Sequence, residues 1–270
     1  MSSPSPAPHK DPSDLIARGS HRPTPLGRTL FFTLRALDPL IQYTILSRHF
    51  GISWIPHRLG GSFLPATGLS TIGLRPANAT FLDLPPYQTL LLGMSVGSML
   101  KQNFWLTAIS REEMNAGPAV VISVFNTVLN GLNSTLALWM LTSVNPTANT
   151  FSELFRNPWV LAGSALYVMG ILTETVSEVQ RSSFKKDERN KGKPYAGGLF
   201  GLARHVNYTG YTLWRTGFAV AAAGPVWGAV IGSWFLYDFS QRAIPVLDNY
   251  CSNRVGLSLN MIENSNKGLT

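Results

Sequence analysis

Four stretches of the chain stay apolar for about the thickness of a bilayer. They are residues 87–109 (YQTLLLGMSVGSMLKQNFWLTAI), 118–144 (PAVVISVFNTVLNGLNSTLALWMLTSV), 157–176 (NPWVLAGSALYVMGILTETV) and 207–239. A spanning helix needs about 20 such residues. The last stretch is too long for one span and has Gly224-Pro225 at its centre. Gly-Pro is a turn signal, so this stretch predicts a helical hairpin with both ends on one membrane face. A fifth stretch, 28–46, is interrupted by Arg35 and Asp38-Pro39, and predicts either a span or an amphipathic interfacial helix. Residues 51–86 are rich in Gly and Pro and read as a connection. The expected fold class is all-α: a polytopic membrane helical bundle of about five to six spans, ending in the hairpin.

Composition supports the membrane reading. Charged residues are 13% of the chain and apolar ones 45%. A soluble domain is about one-quarter charged. Mean hydropathy is only +0.09, as expected of apolar spans diluted by polar tails and loops. Residues 1–27 begin MSSPSPAPHKDPSD and read as a disordered tail, 28–256 as the membrane enzyme domain, and 257–270 as a second tail.

The net charge of +8 raises nucleic acid or an anionic membrane as partners. The basic residues lie beside the apolar stretches, which favours the bilayer and no nucleic acid. Between 176 and 207 stand Arg181, Lys185, Lys186, Arg189, Lys191, Lys193 and Arg204, whereas 145–155 has no Lys or Arg. The basic loop and the tail after the hairpin are therefore expected on the cytosolic side. The single Cys251 excludes an intrachain disulfide. His9, His21, His49, His57 and His205 lack the paired spacing of metal ligands, so no metal site is expected.

The segment GGLFGLARHVNYTGYTLWRTGF, 197–218, concentrates the candidate chemistry. Arg204, Tyr208, Tyr211 and Arg215 recur at spacings of four, three and four, which is one face of a helix. Arg215 would lie two to three turns inside the membrane, where an Arg needs a bundle interior, a wet cavity or an anionic partner. A pocket for a phosphate- or carboxylate-bearing cofactor meets that need. Asp238 is a possible counter-ion for Arg204 or Arg242. Lys101 is expected to snorkel to an interface. Asn126, Asn130 and Asn133 are expected to glue helices together.

The run DERNKGKPYAGGLFGLARHVNYTGYTLW, with RAIPVLDNYCSNRVG after it, resembles the C-terminal signature of the steroid 5-alpha-reductase and sterol-reductase superfamily. Isoprenylcysteine carboxyl methyltransferases and phospholipid methyltransferases share that architecture. The resemblance covers residues from about 174 on and implies that 174–256 is the cofactor-binding part. It implies a cytosol-facing nucleotide pocket in a protein of the endoplasmic reticulum. By position it carries over Asn190, Gly192, Leu199, Arg204, His205, Asn207, Tyr208, Gly210, Arg242 and Asp248, to which the helical face adds Tyr211 and Arg215. It further implies NADPH as cofactor and reduction of a carbon–carbon double bond in a lipid or sterol-like substrate. Tyr208, preferred over His205, would deliver the proton. This sequence departs from the signature at Val206, where a Pro is usual, at Tyr211, where an acid is usual, and at Val255, where a Tyr is usual. Two alternatives remain open: a methyltransferase using S-adenosylmethionine, and a non-catalytic lipid-binding member. The run DERNKGKPYAGGLF favours the reductase.

Overall fold

The computed structural model describes residues 20–47, 62, 82, 84–145, 148, 150–190, 193–249 and 252. Among them there is no β-strand. The helices are α1 (Pro25–Leu46), α2 (Pro86–Phe104), α3 (Ala116–Leu138), the single turn α4 (Phe151–Leu154), α5 (Pro158–Lys186) and α6 (Val206–Asp238). A wider π-helical turn, Trp105–Ile109, extends α2, and another, Phe239–Ala243, extends α6. Three of the described helical runs are long and apolar enough to cross a membrane: Ala116–Leu138, Pro158–Lys186 and Val206–Asn249. The protein is an integral membrane helical bundle.

The expected hairpin is present, and its break falls at Ala223 and Gly224. Gly224 has φ of +80°, a conformation that glycine adopts without a Cβ penalty. Pro225 lacks an N–H, so the carbonyl of Ala221 loses its helical donor. Tyr87 of α2 replaces it: its hydroxyl lies 2.6 Å from Ala222 O and 3.0 Å from Ala221 O. The first arm, 206–222, is about 25 Å long at 1.5 Å per residue. Beyond the turn the second arm returns alongside it, with Gly232 packed over the Thr216 side chain and Phe235 against Tyr211.

The first arm of α6 lies along α5 at backbone contact. A Cβ on Gly170 would stand 2.7 Å from Gly210 O, and one on Gly217 would stand 2.6 Å from Gly163 O. Each helix therefore presents two glycines, two turns apart, to the other. Membrane helices lack a hydrophobic drive to associate, and such close backbone approach supplies van der Waals contact instead.

Polarity is arranged inside out. The outward faces carry Val121, Val124 and Val128 on α3, Val168 and Leu172 on α5, and Val226 and Val230 on α6. The interior holds Arg35, Asp38 and Gln42 of α1, Ser95, Ser98 and Lys101 of α2, and Asn126, Asn130 and Ser134 of α3. The outward apolar groups meet lipid, and the polar ones satisfy one another between helices. Helix α1 is thus a packed member of the bundle, since Arg35 and Asp38 are both fully buried. Lys101 does not snorkel: it is buried and paired with Glu174 of α5. The asparagines link helices as expected. Asn126 accepts from Gln102 at 2.7 Å, Asn133 accepts from Trp227 Nε1 at 2.7 Å, and Asn130 donates to Asp38 at 2.6 Å.

Candidate active site

Because the hairpin turns back on itself, the start of α6 and the helical run 244–249 meet at one end of the bundle. Arg204 Nη2 is 2.9 Å from Asp248 Oδ1, and His205 Nε2 is 3.8 Å from the same oxygen. His205 occupies the N-cap position of α6, but its side chain makes no cap hydrogen bond. Its ring instead stacks on Tyr208 (centroids 5.7 Å apart, planes at 7°), and Tyr208 stacks on Phe239 of the returning arm (4.7 Å, 18°). Tyr211 meets Phe239 and Phe235 edge-on, 5.6 and 5.1 Å away. The result is an aromatic column joining the two arms, with a cation and a carboxylate at its outer end.

Partial burial lowers the His205 pKa below its usual 6.5. Asp248 opposes that shift, and the Arg204 charge adds to it. The imidazole is therefore neutral at pH 7 and able to accept a proton.

Helix α5 runs past the apolar stretch to Lys186 and forms the second wall. Glu178 accepts from Asn207 at 2.9 Å and from Arg181 at 2.6 Å. Gln180 accepts from the Leu199 N–H at 3.0 Å, which fixes the turn Gly198–Gly201 against the helix. Asn190 donates to Phe184 O at 3.2 Å, satisfying a carbonyl of the last turn of α5. Asp187 pairs with Arg189, which holds its carboxyl below the usual range.

The residues expected from the sequence are thus divided. Arg204, His205, Tyr208, Tyr211 and Asp248 come together at this end of the bundle. Asn207, Asn190 and Leu199 make helix and loop contacts beside it. Arg242 is held by Asp238, at 2.6 and 2.8 Å. Gly210 packs against the backbone of Glu174. Gly192 lies outside the described residues. Arg215 is in the interior: Nη1 donates to Asn130 at 3.1 Å, Nε to the Tyr211 hydroxyl at 3.2 Å, and its guanidinium lies 4.2 Å from the Trp214 ring. Sequence reasoning did not single out Glu178 as a partner of Asn207, nor Glu174 as the partner of Lys101. Trp214 Nε1 also donates to Glu174, at 2.7 Å. The signal was present for Arg35, Asp38 and Gln42, whose spacing of three and four marks one helical face.

Residues 111–255 match the family model described as protein of unknown function, DUF1295. The chain belongs to the DUF1295 family. A probable O-methyltransferase, ustE of Ustilaginoidea virens, is 40% identical over 242 residues, covering 90% of this chain and 84% of its own length. No solved structure matches.

The second finding keeps the enzyme reading and overturns the NADPH-dependent reductase expected from the sequence. Here Arg204, Arg181, Arg189 and Arg242 each face a carboxylate, from Asp248, Glu178, Asp187 and Asp238 respectively. Tyr211, in place of the reductases' acid, packs among Trp214, Phe235 and Phe239.

Proposed function

We propose that this protein is a membrane O-methyltransferase using S-adenosylmethionine, with an apolar acceptor drawn from the bilayer. The observation that carries the reading is the 40% identity, across nine-tenths of the chain, to a probable O-methyltransferase. The end of the bundle at Arg204 and Asp248 suits such a cofactor. A sulfonium has one positive charge, which aromatic rings attract, and the column of Tyr208, Tyr211 and Phe239 stands at this end. The amino-acid end carries one carboxylate and one ammonium, for which Arg204 and Asp248 are the matching ion pair. Asn207 and Tyr211 flank this position. The architecture shared with isoprenylcysteine and phospholipid methyltransferases supports the same reading. The Lys and Arg excess at this end favours a mouth open to the cytosol, in the membrane of the endoplasmic reticulum.

S-adenosylmethionine supplies an electrophilic methyl group: the acceptor oxygen forms the new C–O bond while the C–S bond breaks and its electron pair stays on sulfur. The protein's part is to orient the two partners, exclude water and receive the acceptor's proton. His205 is the base, because it is neutral at pH 7 and stands at the mouth. Tyr208 positions it through the ring stack.

Two measurements test this. Thermal melts of the detergent-purified protein should show saturable stabilisation by S-adenosylmethionine and S-adenosylhomocysteine, about 2.7 kcal/mol at a hundredfold excess over Kd, and none by NADPH. Stabilisation by NADPH alone would overturn the proposal. The pH profile of kcat/KM should rise through a pKa below 6.5, because the neutral imidazole is the active form and exists above that pKa. His205→Gln should remove this limb and cut the rate about 10²–10⁴-fold. An unchanged acid limb in that variant would exclude His205 as the base.

A further inference from the structure

Among the described residues, two buried guanidinium groups, Arg35 and Arg215, lie around one buried carboxylate, Asp38. Asp38 of α1 lies at the centre of one cluster. It accepts from Arg35 at 3.1 Å, from Gln42 at 2.9 Å and from Asn130 at 2.6 Å. Asn130 in turn accepts from Arg215 at 3.1 Å. Two guanidinium groups thus share one carboxylate, Arg35 directly and Arg215 through the Asn130 amide. Among the described residues the other buried acids face other cations: Glu174 faces Lys101, and Glu178 faces the partly exposed Arg181. Arginine stays protonated in proteins, so the surplus is not relieved by losing a proton. Arg215 is 2% exposed and lies about 14 Å along α6 from Val206. An uncompensated charge at that depth is costly, and in membrane proteins marks a ligand path.

The hydrogen-bonding pattern points to the same place. Arg35 Nε and Arg215 Nη2 are buried without a hydrogen-bond partner. So is Ser95 Oγ, one turn from the Ser98 that bonds Asn130. Buried polar atoms are normally satisfied. The two guanidinium N–H groups, on α1 and α6, and the Ser95 hydroxyl, on α2, are able to donate to an anion.

We propose that Arg35 and Arg215 form an intramembrane anion site, which takes an apolar molecule by a single acidic oxygen group, bound as carboxylate or phenolate. Calling that molecule the acceptor rests on the methyl-transfer reading; the anion site itself stands on the charge and the unpaired donors. For the transferase it means that this acidic group anchors the acceptor in the bundle, while the hydroxyl that gives its proton to His205 is a different oxygen of the same molecule.

The probes are 2-naphthoate and its methyl ester, which share an apolar body and differ in the charge. Wild-type protein in detergent should bind the acid at least tenfold more tightly than the ester, read by thermal melts. Arg215→Gln should lose that preference while keeping S-adenosylmethionine affinity within about twofold. Arg35→Gln should reduce the preference in the same direction, and it carries the test should Arg215→Gln not fold. Equal binding of acid and ester by wild type would overturn the site, as would an undiminished preference in the folded variants. A tenfold loss of S-adenosylmethionine affinity in Arg215→Gln, with naphthoate binding intact, would assign Arg215 to the cofactor and also overturn it. Charge-selective naphthoate binding without any S-adenosylmethionine binding would keep the anion site and remove the methyl-transfer reading instead.

Discussion

Gly217→Leu will leave no folded protein in detergent, and Gly217→Ala will cost about 1–3 kcal/mol, the range for overpacking a tight interface. The Cβ would lie 2.6 Å from Gly163 O and 2.9 Å from the Leu166 carbonyl carbon. Both obstacles are backbone, so no side chain can rotate away. The damage spreads because the seam between α5 and α6 sets the height of everything on the first arm. Gly210 sits against Glu174, and Trp214 donates to Glu174. The contrast is Gly93 on α2, where an added Cβ meets nothing within 4 Å. Gly93→Ala should be neutral or slightly stabilising, as alanine favours helix over glycine by about 1 kcal/mol. Melting curves of the three variants check the ordering. A Gly217→Leu protein that melts like wild type would mean the helices are not in backbone contact.

Lys101→Met will destabilise the fold by about 3–5 kcal/mol, the cost of leaving one partner of a buried ion pair uncompensated. Lys101 and Glu174 have side chains only 7% and 11% exposed, and they join α2 to α5. Glu174→Gln should cost a similar amount, since Lys101 then keeps a buried charge without a counter-ion. The double variant Lys101→Met/Glu174→Gln should recover most of the loss, because a buried pair replaced as a whole is often near neutral. A double-mutant cycle by melting in one detergent measures the coupling. Additive losses would show that the two residues do not pair.

Much of the architecture was legible in the sequence because apolar length reports span length directly. The hairpin at Gly224-Pro225 and the bridging asparagines both follow from periodicity and turn chemistry. Helix α1 was ambiguous because Arg35 and Asp38 broke its apolar run. Their burial depends on Asn130 and Thr127 of α3, partners that no local pattern names. Lys101 was misjudged for the same reason: its counter-ion lies 73 residues away. At the site, the spacing of Arg204, Tyr208 and Tyr211 identified one wall, whereas Phe239 and Asp248 join it only once the hairpin closes. The chemistry was harder to read. A Gly-rich turn before an Arg-His step suits reductases and methyltransferases alike, and it is the 40% identity to a probable O-methyltransferase that separates them.

The central claim is that a methyl donor binds where the first arm of α6 meets the returning chain. Ultraviolet crosslinking of methyl-labelled S-adenosylmethionine to the purified protein, followed by peptide mapping, tests it most directly. The account predicts label in peptides spanning 204–211 and 235–248, displaced by S-adenosylhomocysteine and untouched by NADPH. Label confined to other segments, or displacement by NADPH but not by S-adenosylhomocysteine, would contradict it.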